Sequence, residues 1–328
     1  MKGLIFDPHL VELIKAKDYK DSSIRQYSVS VKRLANVLTM SDSSVPKFVS
    51  RDYMKNIFVV ESEAVLRREI PNVNSLAACT YAAYIVLDCY DLREEAEYYK
   101  ELSKKCLKEN SENTIYRDPN EKEKENFMSM EDVILCFEKL EKEVHDLVDG
   151  CKDFEMLKTK YTFVNLYQRY LVCSLYAHYP PLRGQDYYTT KFVRNDEDSE
   201  TLCNENVYDV RSGILYVRHH KTEDTLGTKV LVMPPLIQKI CTDWSYINEG
   251  PNFIINTKNG NLLTQQAFTG LLNRIFAPHK VSSSMLRKIY ISSFLNGKPS
   301  VEERKSLAKI MGHQIGLQEF VYSRFRDL

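Results

Sequence analysis

The sequence predicts a mostly α-helical chain with a small antiparallel β-sheet in its second half, an α+β class. Three observations carry that expectation. Apolar residues recur every three or four positions through the first 110 residues, the spacing of amphipathic helices. Residues 110–126 are polar, densely charged and contain Pro119, as a linker would be. Between Val207 and Met233 the period changes to alternation, rich in Val, Ile, Leu and Tyr, which marks short strands. The expected organisation is a helical domain over 1–110, a linker over 111–126, and a mixed domain over 127–328.

Each element has its own signal. Leu10, Leu13 and Ile14 form a short apolar run. Ser22 and Ser23 stand before Ile24, Tyr27, Val31, Leu34 and Leu38, so a helix is expected to start there, with serine as its cap. Arg25, Lys32 and Arg33 lie off that stripe. Further helices are expected over 51–58, 74–90 and 94–107. Ser129 with Asp132 reads as a capping box for the next helix. Tyr161 to His178 is long and mostly apolar, and Pro180-Pro181 stops it. Strands are expected at 207–210, 213–219 and 228–233, with the hairpin loop Lys221 to Gly227 between the last two. Four helices follow, over 236–247, 264–276, 283–295 and 300–311. The last opens on Ser300 with Glu303 and ends at Gly312.

Composition sets bounds. The 328 residues are 43% hydrophobic, enough for a sizeable core, and 27% charged. The 45 basic and 45 acidic residues cancel, so any nucleic-acid surface must come from a local basic face rather than from net charge. Eight cysteines, Cys79, Cys89, Cys106, Cys136, Cys151, Cys173, Cys203 and Cys241, include no C-x-x-C pair. They read as reduced, packed thiols. No run reads as a signal peptide or a membrane span, so a soluble intracellular protein is expected. His219 and His220 lack a third ligand at suitable spacing, and no metal or other cofactor is expected.

The candidate chemistry lies in the second half. Arg183 sits in Pro-Pro-Leu-Arg-Gly-Gln-Asp186, Lys221 in the hairpin, Arg287 in Ser284-Met-Leu-Arg, and His313 directly after Gly312. Tyr322 follows His313 by nine residues. This order, Arg, Lys, Arg, His, Tyr, resembles the tyrosine recombinases, the family that includes phage integrases. The resemblance covers residues 127–328 well and extends more weakly over 1–110, where the family carries a core-binding domain that clamps double-stranded DNA.

The resemblance implies that Tyr322 attacks a DNA phosphorus and holds the strand as a 3′-phosphotyrosyl link, without metal or ATP. Arg183, Arg287 and His313 would bind the phosphate oxygens. Lys221, with Lys229 across the hairpin as its rival, would protonate the leaving oxygen, and Asp186 would buttress Arg183. Ser284 stands where the family commonly has histidine, and serine carries no charge. Arg25, Lys32 and Arg33 would contact phosphates. The family habit adds assembly into dimers or tetramers on DNA, and an origin in a mobile element or virus. Six residues follow Tyr322, so a C-terminal segment docking on a neighbour would be very short. The same residue set serves type IB topoisomerases and telomere-resolving enzymes, and Ser284 leaves room for a DNA-binding protein without catalysis.

Overall fold

A computed structural model describes residues 5–39, 46–58, 63–116, 119–196, 198, 202, 204–313 and 315–317, leaving aside the side chains of 113–116 and 317. The chain divides into two compact units, Met1–Arg117 and Asp118–Leu328.

The first unit is helical: α1 Pro8–Lys15, α2 Asp21–Leu38, α3 Arg51–Ile57, α4 Glu63–Glu69, α5 Val73–Cys89 and α6 Arg93–Tyr116. Asp7 caps α1 through Leu10 N–H, and Asn72 caps α5 through Ser75 N–H. Such caps satisfy backbone donors that a helix start leaves over. α5 is the hub: Leu76, Ala77, Ala82, Ala83, Val86 and Leu87 are buried, and the helix packs against α6, α2 and α1. The sequence read α1 only as an apolar run and missed α4, because one or two turns hold too few positions to display a period.

The stretch read as a linker over 111–126 is largely helical. α6 runs into it, and α7, Glu121–Asn126, occupies its end. Asn120 and Glu123 cap α7 reciprocally. Lys288 pairs with Glu123 at 2.5 Å, and Asn126 Oδ1 accepts from Lys280 N–H at 2.6 Å. Glu and Lys are strong helix formers, so a charged run that looks solvated by composition can still be helical.

In the second unit the helices are α8 Met130–Asp149, α9 Phe154–Lys158, α10 Tyr161–Ala177, α11 Gly184–Tyr188, α12 Glu223–Leu226, α13 Pro235–Ile247, α14 Gln265–Ile275, α15 Ser283–Asn296, α16 Val301–Met311 and α17 Ile315–Leu317. Twelve of the seventeen residues of α10 are buried, so it is covered nearly all round, as a central helix must be. It packs on α8, α13 and α14.

A four-stranded sheet runs in the order β1 Lys191–Val193, β2 Val207–Asp209, β3 Ile214–Val217 and β4 Lys229–Val232. β2, β3 and β4 pair antiparallel, as expected. β1, which the sequence did not show, adds parallel to β2 and makes the sheet mixed. Three residues are too few to reveal alternation. In β4 the register puts Lys229 and Leu231 inward, while Val230 and Val232 are exposed.

Leu171, in the middle of α10, is fully buried. Leu171→Ala is expected to destabilise the second unit by about 2–5 kcal/mol. Urea unfolding followed by fluorescence of Trp244 reads this directly, since the chain's one tryptophan is buried in that unit.

Candidate active site

Four separate segments bring charged side chains to one place. The first is the turn after α10. Arg183 caps α11, and the Asp186 carboxylate accepts its backbone N–H at 3.3 Å. Gly184 allows the close approach: a Cβ there would lie 2.9 Å from the Phe268 ring and 3.3 Å from Ser283 Oγ. This seats the Arg183 turn against α14 and α15. Arg287, buried on α15, reaches back to the same turn and donates from Nη1 to Pro181 C=O at 2.8 Å.

The C-terminus of α16 is the second wall. Gly312 adopts a left-handed conformation, φ 67°, with its N–H directed to Lys309 C=O and His313 N–H to Ala308 C=O. This is a Schellman ending, and it turns His313 into the cluster. The helix end is held by the arginines. Arg287 Nη2 donates to Met311 C=O at 3.1 Å, and Arg183 Nη2 to Gly312 C=O at 3.0 Å. Cations at a helix C-terminus are favoured by its dipole and its unpaired carbonyls.

The fourth contributor is Lys229, at the start of β4 and 7% exposed. A Cβ on Gly312 would lie 2.6 Å from Lys229 Nζ and 3.3 Å from Arg183 Nη1. Both groups therefore converge over Gly312, and only glycine fits there, by conformation and by space. Lys221 is exposed and is not among the charges that act on His313, Asp186 or Lys229. The order of the two hairpin lysines is thus the reverse of the sequence expectation: Lys229 enters the cluster and Lys221 does not.

Electrostatics record the crowding. Burial, against the favourable charge of Asp186, lowers Lys229 to about 8, and Arg183 and Arg287 add repulsion. Burial also lowers His313 to about 4, helped by Arg287, Arg183 and Lys229. His313 is then neutral at pH 7. Arg287 Nη2 points at its Nδ1 from 3.5 Å, so its N–H sits on Nε2 and is a donor. Asp186, 1% exposed, is raised by burial and pulled back by Lys229 and Arg183. Three cations thus face one carboxylate. Arg183 Nη1 and Lys229 Nζ are buried with no hydrogen-bond partner among the described residues. Each unmet donor costs about 1–3 kcal/mol, and an anion bound there would remove that cost.

Other expected residues lie elsewhere. Ser284 is exposed and lines a polar recess with Asn273, Lys280 and Lys288. Arg25, Lys32 and Arg33 are exposed on one side of α2, with no ion pair among the described residues. His219 faces Glu223 at 3.2 Å and Asn204 C=O at 2.5 Å. No group of three or more His, Cys, Asp or Glu side chains among the described residues could hold a metal. No helix among them is long and apolar enough to cross a membrane. Tyr322 lies outside the described residues, as does Cys203.

No protein-family profile and no curated protein matches the chain in sequence. Among solved structures, the crystal structure of XerA recombinase is similar, with a TM-score of 0.40 and 11% identity over 97% of this chain and 94% of that one.

The lowered Lys229 sets a pH dependence of stability. Below about 8 the folded protein carries the full cost of a buried cation. Between about 8 and the ordinary 10.5 only the unfolded chain keeps that proton, so stability rises with pH across this window. Comparing unfolding free energies at pH 7 and pH 10, wild type should gain up to about 3 kcal/mol more than Lys229→Met, at 1.36 kcal/mol per unit.

Proposed function

We propose that the chain binds double-stranded DNA and breaks and rejoins its strands through a covalent tyrosyl intermediate. The observation that carries this reading is the excess of cationic side chains, half-buried Arg183 with buried Lys229 and Arg287 against the single carboxylate of Asp186, with Arg183 Nη1 and Lys229 Nζ unspent beside one unspent Asp186 oxygen among the described residues. A phosphodiester suits such a site. Its two non-bridging oxygens accept from a guanidinium fork, and its charge offsets the local excess.

Chemistry follows from the order of events at phosphorus. The Tyr322 hydroxyl loses its proton to water and its oxygen attacks the phosphorus. Negative charge grows on the non-bridging oxygens in the pentacoordinate transition state. Arg183, Arg287 and the His313 Nε2–H are fixed donors for that charge, and preorganised donors in a water-poor site stabilise it strongly. The bond from phosphorus to the 5′-oxygen breaks, and that oxygen takes a proton from Lys229. A lysine lowered to about 8 is a far better acid near neutral pH than an ordinary one. The 3′-phosphotyrosyl link keeps the bond energy, and the 5′-hydroxyl attacks it in the reverse reaction, so no ATP is needed. Exchange between two duplexes would need more than one copy of the chain on DNA.

The first test is covalent capture on fragmented DNA that includes the protein's genomic neighbourhood. Wild type should yield protein-linked 3′ ends at a defined sequence, and Tyr322→Phe none. DNA binding without an adduct on any fragment would leave a binding protein and no enzyme. Arg25, Lys32 and Arg33 are assigned to phosphate contact. Replacing all three with alanine should flatten the slope of log affinity against log salt by about 3, close to 0.9 per contact. An unchanged slope would remove α2 from the interface.

A further inference from the structure

Between β3 and β4 the chain makes an excursion that carries Lys221 and the short helix α12. One buried side chain closes it. His220 is 5% exposed. Its Nε2 donates to Gly227 C=O at 2.9 Å, across the excursion. Its Nδ1 lies 3.3 Å from Thr222 N–H and 3.2 Å from the Thr222 hydroxyl. Its own N–H donates to the Glu223 carboxylate at 3.2 Å. An imidazole that accepts at Nδ1 and donates at Nε2 is the neutral Nε2–H tautomer.

The anchor beneath it is Asn206, 2% exposed. Its Oδ1 accepts from the N–H groups of Arg218 and His219 at 2.8 and 2.7 Å, and its Nδ2 donates to His219 C=O at 3.0 Å. The chain is thus clamped immediately before His220, and His220 clamps Gly227, two residues before Lys229.

We infer that His220 is a positioning residue: by holding the Gly227 carbonyl it fixes where Lys229 places its ammonium group over the phosphate. It touches neither the substrate nor the reacting atoms. Two contacts support this over simple packing. The Gly227 bond ties it to the turn two residues before Lys229, and the Asn206 bonds to the Arg218 and His219 N–H groups fix the chain immediately before it. This role rests on the proposed strand cleavage with Lys229 as proton donor.

The test separates proton delivery from everything else. It uses the full chain and a duplex carrying the sequence recovered by covalent capture, with either the natural 5′-oxygen or a sulfur bridging the scissile phosphate. A thiolate leaves without a proton, so a defect in proton delivery disappears on the sulfur substrate. His220→Phe should cleave the natural duplex about 10²-fold more slowly, the scale of a misplaced catalytic group, yet cleave the sulfur duplex near the wild-type rate. His220→Gln keeps an amide donor for Gly227 and should retain most of the natural rate, so a folding defect in the phenylalanine variant does not decide the matter. Equal losses on both duplexes, or none on either, would overturn the role of His220 while leaving strand cleavage intact. No adduct from wild type on any duplex would overturn the parent reading, and this role with it.

Discussion

The second unit depends on gathering positive charge where water is scarce. Arg183, Lys229 and Arg287 stand around one buried carboxylate, an arrangement that costs free energy unless each charge finds compensation. Backbone carbonyls supply part of it. Pro181, Met311 and Gly312 accept from the two arginines, so the broken end of α10 and the C-terminus of α16 are shaped by the same charges they partly neutralise. Asp186 supplies more. The remainder is unmet, and it appears as a depressed Lys229 and as two buried donors, with one Asp186 oxygen, that lack a hydrogen-bond partner among the described residues. That deficit is what the proposed phosphate would fill.

Local geometry then explains why each neighbour has its identity. Gly184 admits Phe268 and Ser283 against the Arg183 turn, and Gly312 admits Lys229 while ending α16 left-handed. His313 enters the cluster because the Schellman ending points it there. A neutral imidazole suits this position better than a charged one, since a fourth cation would deepen the deficit.

The sequence carried the parts of this that are written in local chemistry. Pro180-Pro181, the Ser300 box and Gly312 mark element ends through steric and hydrogen-bonding rules that act within a few residues, and Arg183, Arg287 and His313 sit beside those marks. Lys229 was less legible. Val230, Leu231 and Val232 are all apolar, so alternation in β4 does not say which face points inward, and only pairing with β3 settles it. The helical character of 111–126 was hidden because composition speaks of solvation, whereas capping and i, i+3 pairs decide structure. β1, α4, α9 and α11 are too short for any period. Ser284 shows the limit of motif matching: the sequence groups it with Arg287, three residues on, but its side chain lies in a recess with Lys280 and Lys288.

The central claim is that Lys229 sits in an unneutralised cationic cluster made for a phosphodiester. Nuclear magnetic resonance of its side-chain methylene next to Nζ, assigned by comparison with Lys229→Met, measures this most directly. The account predicts titration near 8 in the free protein, and a clear upward shift when a DNA duplex binds, because a phosphate beside the ammonium favours its charged form. Titration near the ordinary lysine value, unmoved by DNA, would contradict it.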